Sequence, residues 1–573
     1  DSTEYLTSVI TLSIPHPPGY PLYTLLGIGA TKILWFLKPI LVLGLLNIVF
    51  FLLFIFFLFK LFSLLKIEKK ILFFSFLYFS FIFPVLLYNL VPEVFALNLL
   101  ILVLIVYNGF SFIKTNNYKY LSFFYLTCAL GLANHHSFIF FTLPFLILDR
   151  RFINKRILFI FLFLIFYFYP VLASLNNPPI DWENSKSISG LIRLFTRSSY
   201  GTFTAYYGSS PNLINQLTIL LSTVIFVIGD YKPFGVFLIL LGFFYLRKKE
   251  RLLWQYLLIT TFLYLFFLYL TNFDLSKTFS LATFERFLIA FYLILFFFFV
   301  YGAHYMLKFL MTILKNHEKK IINIILIFFT FSILIVHSYP TINIMFTFKN
   351  TNYFYNFSNT LLNIPEKNSI LLLKSDITYF PVAYQYYVEK KRNDLIFVFP
   401  PMFQRDYYLE KVKKKYPQLI LKQSLSTEDF IKNNKKKYRI YSENPYPYGF
   451  YIPYGLLWKF YDSQTQIKKD LNKIIYFNQN FWLNDLPIFS IEEKLNKILF
   501  LKSLKEFYQE KLFFYIRFLY DNNQYSTLNI FLNLLHKKYD IKNLNYLSNL
   551  IDSYLGVEFC EKLSWQNKKN YCL

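Results

Sequence analysis

The stretch PILVLGLLNIVFFLLFIFFLFK, Pro39–Lys60, carries no charge before its final lysine. About 20 helical residues cross the hydrocarbon core of a bilayer, so this run reads as a membrane span. Outward from it, further apolar segments fall at about 71–91, 94–113, 120–134, 136–149, 157–175, 232–247, 252–271, 286–307 and 321–338. The pattern predicts an α-helical polytopic membrane protein of about ten spans. Segments 120–134 and 136–149 are short and meet at Asn134-His135-His136, as in a tight hairpin of spans. Residues 212–229 are apolar but carry Asn and Gln early, which predicts an interfacial helix.

Composition agrees with this class. The chain has 573 residues, 56% of them hydrophobic, 22% aromatic and only 16% charged, with mean hydropathy +0.40. A soluble chain of this length carries far more charge. Biased codon usage accounts for part of the Phe, Lys and Asn excess and points to an AT-rich prokaryotic host, hence to the plasma (inner) membrane. The net charge of +26 does not imply a nucleic-acid partner, because the basic residues of the first 340 positions sit in short loops between apolar segments. Eighteen of them, from Lys60 to Lys320, fall in one alternating set of loops, whereas the 176–215 loop and the 272–285 stretch of the other set hold Lys186, Arg193, Arg197 and Lys277. By the positive-inside rule the N-terminus, Glu93, the Asn134-His135 turn, the 176–215 loop and the C-terminal region are then extracytoplasmic.

Past Pro340 the apolar runs shorten. Ile370–Leu373 and Leu395–Phe399 read as short buried strands around a helix at Tyr379–Lys391, and from about Ile491 a three-to-four residue apolar period returns. The expected organisation is a membrane domain over 1–338, an extracytoplasmic α/β region over 339–490, and a helical, hairpin-like region over 491–573. Cys128, Cys560 and Cys572 have no metal-ligand spacing, and a Cys560–Cys572 disulfide is expected only if the tail lies outside the cell.

Chemistry concentrates in the first 21 residues. Asp1 and Glu4 share one face if their segment is helical. A carboxylate beside a bilayer suits a general base acting on an acceptor hydroxyl or amide, while acidic residues also simply favour helix starts. His16-Pro17-Pro18-Gly19-Tyr20-Pro21 is stiff at its prolines and free to turn at Gly19. It is either a corner between helices or a loop presenting His16 and Tyr20 to a ligand. Glu93, between two apolar segments, is a functional candidate by cost alone. Asn134 and His135 form a polar turn or a ligand contact. Arg197 and Tyr200 sit in the loop after Trp182, and Arg286 begins an apolar segment. Guanidinium groups suit phosphate, although Arg286 could equally pair with Glu285 or snorkel.

These residues recur together in one pattern: Asp1-Ser2-x-Glu4, H-P-P-G-Y-P-L at His16–Leu22, P-E-V-F-A-L-N at Pro92–Asn98, G-L-x-N-H at Gly131–His135 and T-R-x-x-Y-G-T-F at Thr196–Phe203. The chain resembles the multi-spanning family labelled domain of unknown function 2723, whose animal member is an endoplasmic-reticulum protein O-mannosyltransferase and which is similar to the glycosyltransferase C superfamily. The Arg286 segment and Asp376–Asp394 extend the likeness. The resemblance implies an inverting transfer of a sugar from a polyprenyl-phosphate donor on the extracytoplasmic face to a protein, lipid or glycan acceptor. Asp1 and Glu4 would be the catalytic residues, Asp1 as the base and Glu4 as its neighbour or substitute. His16, Tyr20, Glu93, Asn134, His135, Arg197, Tyr200 and Arg286 would line the donor and acceptor pocket. No metal ligands are assigned and a divalent cation is optional. Two departures stand out: Thr3 replaces a glycine, and the glycine pair and membrane helix that precede the Asp in relatives are absent, so a first span is expected to be missing. Two other classes compete. A flippase for lipid-linked saccharides would place ionisable residues at mid-membrane, and a non-catalytic envelope assembly protein would use the C-terminal region to recruit partners.

Overall fold

The structure is a computed structural model and describes residues 2–202, 204, 212–313, 319–349, 351–422, 425–484, 486–539 and 544–563. The chain folds as two compact units, one over Glu4–Lys349 and one over Asn350–Leu573. The expected boundary at 338 falls inside the helix Lys319–Lys349.

In the first unit seven helices are long and apolar enough to cross a bilayer among the described residues. They are Pro39–Leu64, Phe95–Thr115, Lys155–Leu175, Leu213–Lys249, Arg251–Leu270, Thr278–Ile313 and a seventh from Thr330. Lys69–Ser80 and Phe83–Leu90, bent by 74° at their junction, make an eighth if taken as one broken span. The extended Ile82 and Pro84 in the first turn of the second piece account for the break. The ten expected spans thus become seven or eight, and length supplies the reason. Tyr118–Leu132 and Phe138–Leu148 have 15 and 11 residues. At 1.5 Å per residue they reach about 22 and 16 Å, short of the ~30 Å core. The segment expected to be a separate interfacial helix is the first half of Leu213–Lys249. It meets the second half at a kink where Lys232 has φ 58° and Pro233 follows.

Thr278–Ile313 is the hub, with 89% of its apolar window buried, whereas Pro39–Leu64 and Leu213–Lys249 bury 28% and 22% of theirs. The outward faces of such helices, with Leu52, Phe56, Leu221 and Ile225 exposed, suit contact with lipid. Leu213–Lys249 crosses the hub at backbone distance. A Cβ on Gly242 would lie 1.7 Å from the Phe298 carbonyl oxygen, and one on Gly302 1.9 Å from that of Leu238. Small residues permit this approach between membrane helices.

The second unit is built on five strands: β1 (Ile370–Leu372), β2 (Ile396–Val398), β3 (Ile440–Ser442), β4 (Phe450–Tyr454) and β5 (Leu457–Tyr461), in the order β2-β1-β3-β5-β4. β1 pairs in parallel with β2 and β3, and β4–β5 is an antiparallel hairpin. The strand–helix–strand read from the sequence is present, with Asp376–Ala383 as its helix. Ile370, Leu372, Ile396, Val398 and Ile440 pack with Leu409, Val412, Phe430 and Ile431. The helices after Ile491 share a core with the sheet and do not form a separate module. Lys511 Nζ donates to the Glu443 carbonyl at 2.6 Å, and the Phe514 ring lies 5.0 Å from that of Trp458. The expected Cys560–Cys572 pairing lies outside the described residues.

Gly302→Leu is expected to cost about 3 kcal/mol or more by overpacking, read as a lower melting temperature and loss of monodisperse protein. Gly29→Ala, where a Cβ meets nothing within 4 Å, should leave both unchanged.

Candidate active site

The helix Ser2–Thr11 is buried on every side over Glu4, Tyr5, Leu6, Thr7, Ser8 and Val9. The chain then turns back through the proline-rich loop. Ile14 bridges to Asp181 and Gly19, at φ 83°, donates its N–H to the His16 carbonyl. Pro21 then opens the next helix, where a missing N–H costs nothing. The turn lowers His16 onto the face of the helix that carries Glu4.

Glu4 is fully buried and its carboxylate accepts three hydrogen bonds. Oε1 takes the His16 backbone N–H at 2.9 Å and Trp182 Nε1 at 2.8 Å, and Oε2 lies 2.5 Å from His16 Nδ1. His16 Nε2 in turn lies 3.4 Å from the Tyr20 hydroxyl. This is a carboxylate–imidazole–phenol series in which Glu4 orients His16. Two of these contacts fall on Oε1 and one on Oε2, so the carboxylate holds His16 and Trp182 in place.

A second acid is satisfied differently. Glu93 lies in the turn between Phe83–Leu90 and Phe95–Thr115. Asn47, the one polar residue in the middle of its helix, donates to the Val91 and Glu93 carbonyls and accepts from Tyr23, so it pins that turn. Glu93 Oε1 accepts from Ser2 Oγ at 3.0 Å and faces Arg286 Nη1 at 3.4 Å, both side chains being about 95% buried. Tyr5 is within electrostatic reach of Glu4, Glu93 and Arg286 alike and packs edge-on against Tyr20 and Tyr23. Its ring therefore connects the two acidic centres.

The short hairpin supplies a third wall. The Leu22 N–H donates to the Ala133 carbonyl at 3.0 Å, tying the proline-rich loop to the Asn134-His135 turn. His135 Nδ1 accepts the Ser137 N–H at 3.2 Å and lies 3.0 Å from Ser137 Oγ, which bonds Asn98. The proton of the neutral ring is therefore on Nε2. Enclosure among Tyr20, Phe95 and Phe287, with further repulsion from His136 and Arg197, pushes the His135 pKa down to about 3. Asn134 is fully buried, and neither atom of its amide finds a partner among the described residues. Arg197, at φ 55°, caps the helix Ile188–Thr196, and the Tyr200 ring stands 6.0 Å from Trp182.

Of the expected residues, Glu4, His16, Tyr20, Glu93, His135 and Arg286 are joined by these contacts, and Asn134 stands next to His135 in the same turn. Arg197 and Tyr200 approach through the loop that carries Trp182. Asp1 lies outside the described residues. Asn47, Asn98, Ser137 and Tyr5 were not singled out beforehand, although a lone Asn inside an apolar run was a usable signal. Among the described residues no group of three or more His, Cys, Asp or Glu is placed to hold a metal ion.

Arg286→Gln or Glu93→Gln alone should cost about 3–5 kcal/mol by stranding a buried charge, measured as a fall in melting temperature. The double variant should lose less than either. His135 supplies a pH dependence. Its folded pKa is depressed, so below about pH 6.5 the unfolded chain takes up a proton that the folded one does not. Stability therefore falls as pH drops from about 6.5 towards 3. His135→Gln should flatten this loss between pH 7 and 5 in thermal unfolding.

Residues 1–156 match the family model described as Protein O-mannosyl-transferase TMEM260 N-terminal domain. The chain is 22% identical to Protein O-mannosyl-transferase tmem260 of Dictyostelium discoideum, over 83% of this chain and 65% of that protein. It is 24% identical to Protein O-mannosyl-transferase TMEM260 of Mus musculus, over 73% of this chain and 61% of that protein. The chain thus spans less than two thirds of the length of these curated relatives. No solved structure matches it. The matched segment contains Glu4, His16, Tyr20, Glu93, Asn134 and His135, which are the residues around which the buried polar cluster is built.

Proposed function

We propose that the protein is an integral membrane glycosyltransferase of the glycosyltransferase C type. It would move a hexose, mannose by analogy with the named relatives, from a polyprenyl-phosphate donor to a Ser or Thr hydroxyl of a protein on the extracytoplasmic face of the plasma membrane. One observation carries the reading. The N-terminal helix, the proline-rich loop, the Glu93 turn, the Asn134-His135 turn and the hub helix bring Glu4, His16, Glu93, His135 and Arg286 into one buried polar cluster inside an apolar bundle. Ionisable groups are kept at such positions only for a purpose that outweighs their cost.

The chemistry divides among these residues. A glycosyl transfer needs a base on the acceptor hydroxyl and stabilisation of the departing phosphate. Asp1, next to the Ser2 whose hydroxyl bonds Glu93, is assigned the base. The hydroxyl attacks the anomeric carbon as its proton passes to the carboxylate, the bond to the phosphate oxygen breaks, and a single displacement inverts the centre. Arg286 and Arg197 neutralise the leaving phosphate, with Glu93 holding Arg286 in place. Neutral His135 Nε2–H and the unpartnered Asn134 amide offer donors and an acceptor to sugar hydroxyls. Glu4 keeps His16, and through it Tyr20, in one orientation.

Membranes carrying the protein should transfer radiolabelled mannose from a polyprenyl-phosphate donor to a Ser/Thr-rich peptide. Asp1→Asn should reduce kcat by about 10³-fold or more while folding is retained. Glu4→Gln should lower activity less. Full activity in Asp1→Asn would remove the base assignment, and no transfer from any lipid-linked hexose by folded protein would sink the transferase.

A further inference from the structure

The C-terminal unit holds a cleft of about 480 Å³ between the β4–β5 hairpin and the helices Gln464–Leu483 and Leu499–Asp521. Aromatic rings form much of its lining, from Phe450, Tyr451, Trp458 and Phe514. Arg517, Asp521 and Asn522 from the end of one helix and Gln464 from the start of the other add hydrogen-bonding groups to the lining. Tyr451 pairs with Phe460 and Pro453 with Trp458 across the hairpin, so Tyr451 and Trp458 stand diagonally on the same face of it.

Two residues of this lining carry a polar atom that finds no partner among the described residues. Trp458 is 9% exposed and its Nε1–H finds no acceptor among the described residues, and the Tyr451 hydroxyl is likewise buried and unpartnered. Orphaned buried donors cost about 1–3 kcal/mol each and call for an explanation when they share a cleft. A purely apolar ligand would leave both unsatisfied. An inorganic anion would make no use of the rings. A proline-rich peptide would suit the rings and the donors, but offers few donors of its own to Asp521, Asn522 and Gln464. A pyranose ring meets every requirement. Its C–H face carries partial positive charge and lies against the negative faces of aromatic rings, and its hydroxyls both donate and accept.

From this combination we infer that the cleft is a carbohydrate-binding site, separate from the polar cluster of the membrane unit. It requires no transfer chemistry and so stands whether or not the protein is a transferase.

The test uses the full chain in lipid nanodiscs, since detergents with sugar head groups would compete. Saturation-transfer NMR and calorimetry are run with methyl glycosides of mannose, glucose, galactose and N-acetylglucosamine, a mannobiose, and a proline-rich decapeptide. At least one sugar should bind saturably, with transfer to its ring C–H protons. Trp458→Phe, which removes the indole donor, should weaken binding about fivefold or more. Arg517→Ala, at an exposed position where only a surface ion pair with Asp521 is lost, should weaken it as well. Absence of saturable binding by every sugar would overturn the inference, as would tighter binding of the peptide. So would a sugar signal that survives both variants and vanishes in Arg286→Gln, because it would then belong to the membrane unit.

Discussion

The carboxyl group of Glu4 is shut off from solvent, and hydrogen bonds from two other segments keep it satisfied. Three N–H donors reach it, two from His16 and one from Trp182. Charge-assisted bonds of this kind are strong where the surroundings are apolar, and they clamp together segments that are 12 and 178 residues apart in sequence. With His16 held, Tyr20 is held, and Tyr20 is followed by the residue pair that ties the proline-rich loop to the Asn134-His135 turn. Glu93 meets the same cost by a different route, through a guanidinium donated by the hub helix. One acid is held by N–H groups, while the other sits beside a buried guanidinium.

The backbone around these groups is unusually broken for a membrane bundle. The bent helix pair at 69–90, the short hairpin at 118–148 and the kink at Lys232 all interrupt regular hydrogen bonding. Irregular backbone within a membrane domain is tolerated where protein surrounds it, and polar side chains do that here. Asn47 bonds two carbonyls of the Glu93 turn, and Ser137 with Asn98 supports the His135 turn. Polar residues within the apolar helices thus hold the turns that carry Glu93 and His135.

How much of this was legible in advance depended on the kind of signal. The apolar runs marked nearly every long helix, since crossing a bilayer demands length and hydropathy that are local properties. The short strands around Tyr379–Lys391 were readable for the same reason, being apolar runs bounded by turn residues. Span number was overcounted because hydropathy alone does not separate a crossing helix from an 11-residue one that stops partway. The kinked Leu213–Lys249 helix was divided because Lys232-Pro233 looks like an end in one dimension. Glu4 drew attention because it shares a helix face with Asp1 beside the bilayer, as a neighbour or substitute for the base. Its role as a clamp rests on Trp182, and no local pattern links residues so far apart.

The sequence by itself determined that this chain is an apolar helical bundle followed by an α/β region, and which residue types had to be accounted for at the ends of its helices. Solvent preference and helix length operate residue by residue, so they are written in order along the chain. Tertiary structure alone decided which acid is clamped and which is ion-paired, that the Asn134 amide finds no partner among the described residues, and that the strands and the last helices share one core. Those outcomes depend on donors arriving from distant segments, and hydrogen bonds and buried charges are settled only when the chain has closed around them.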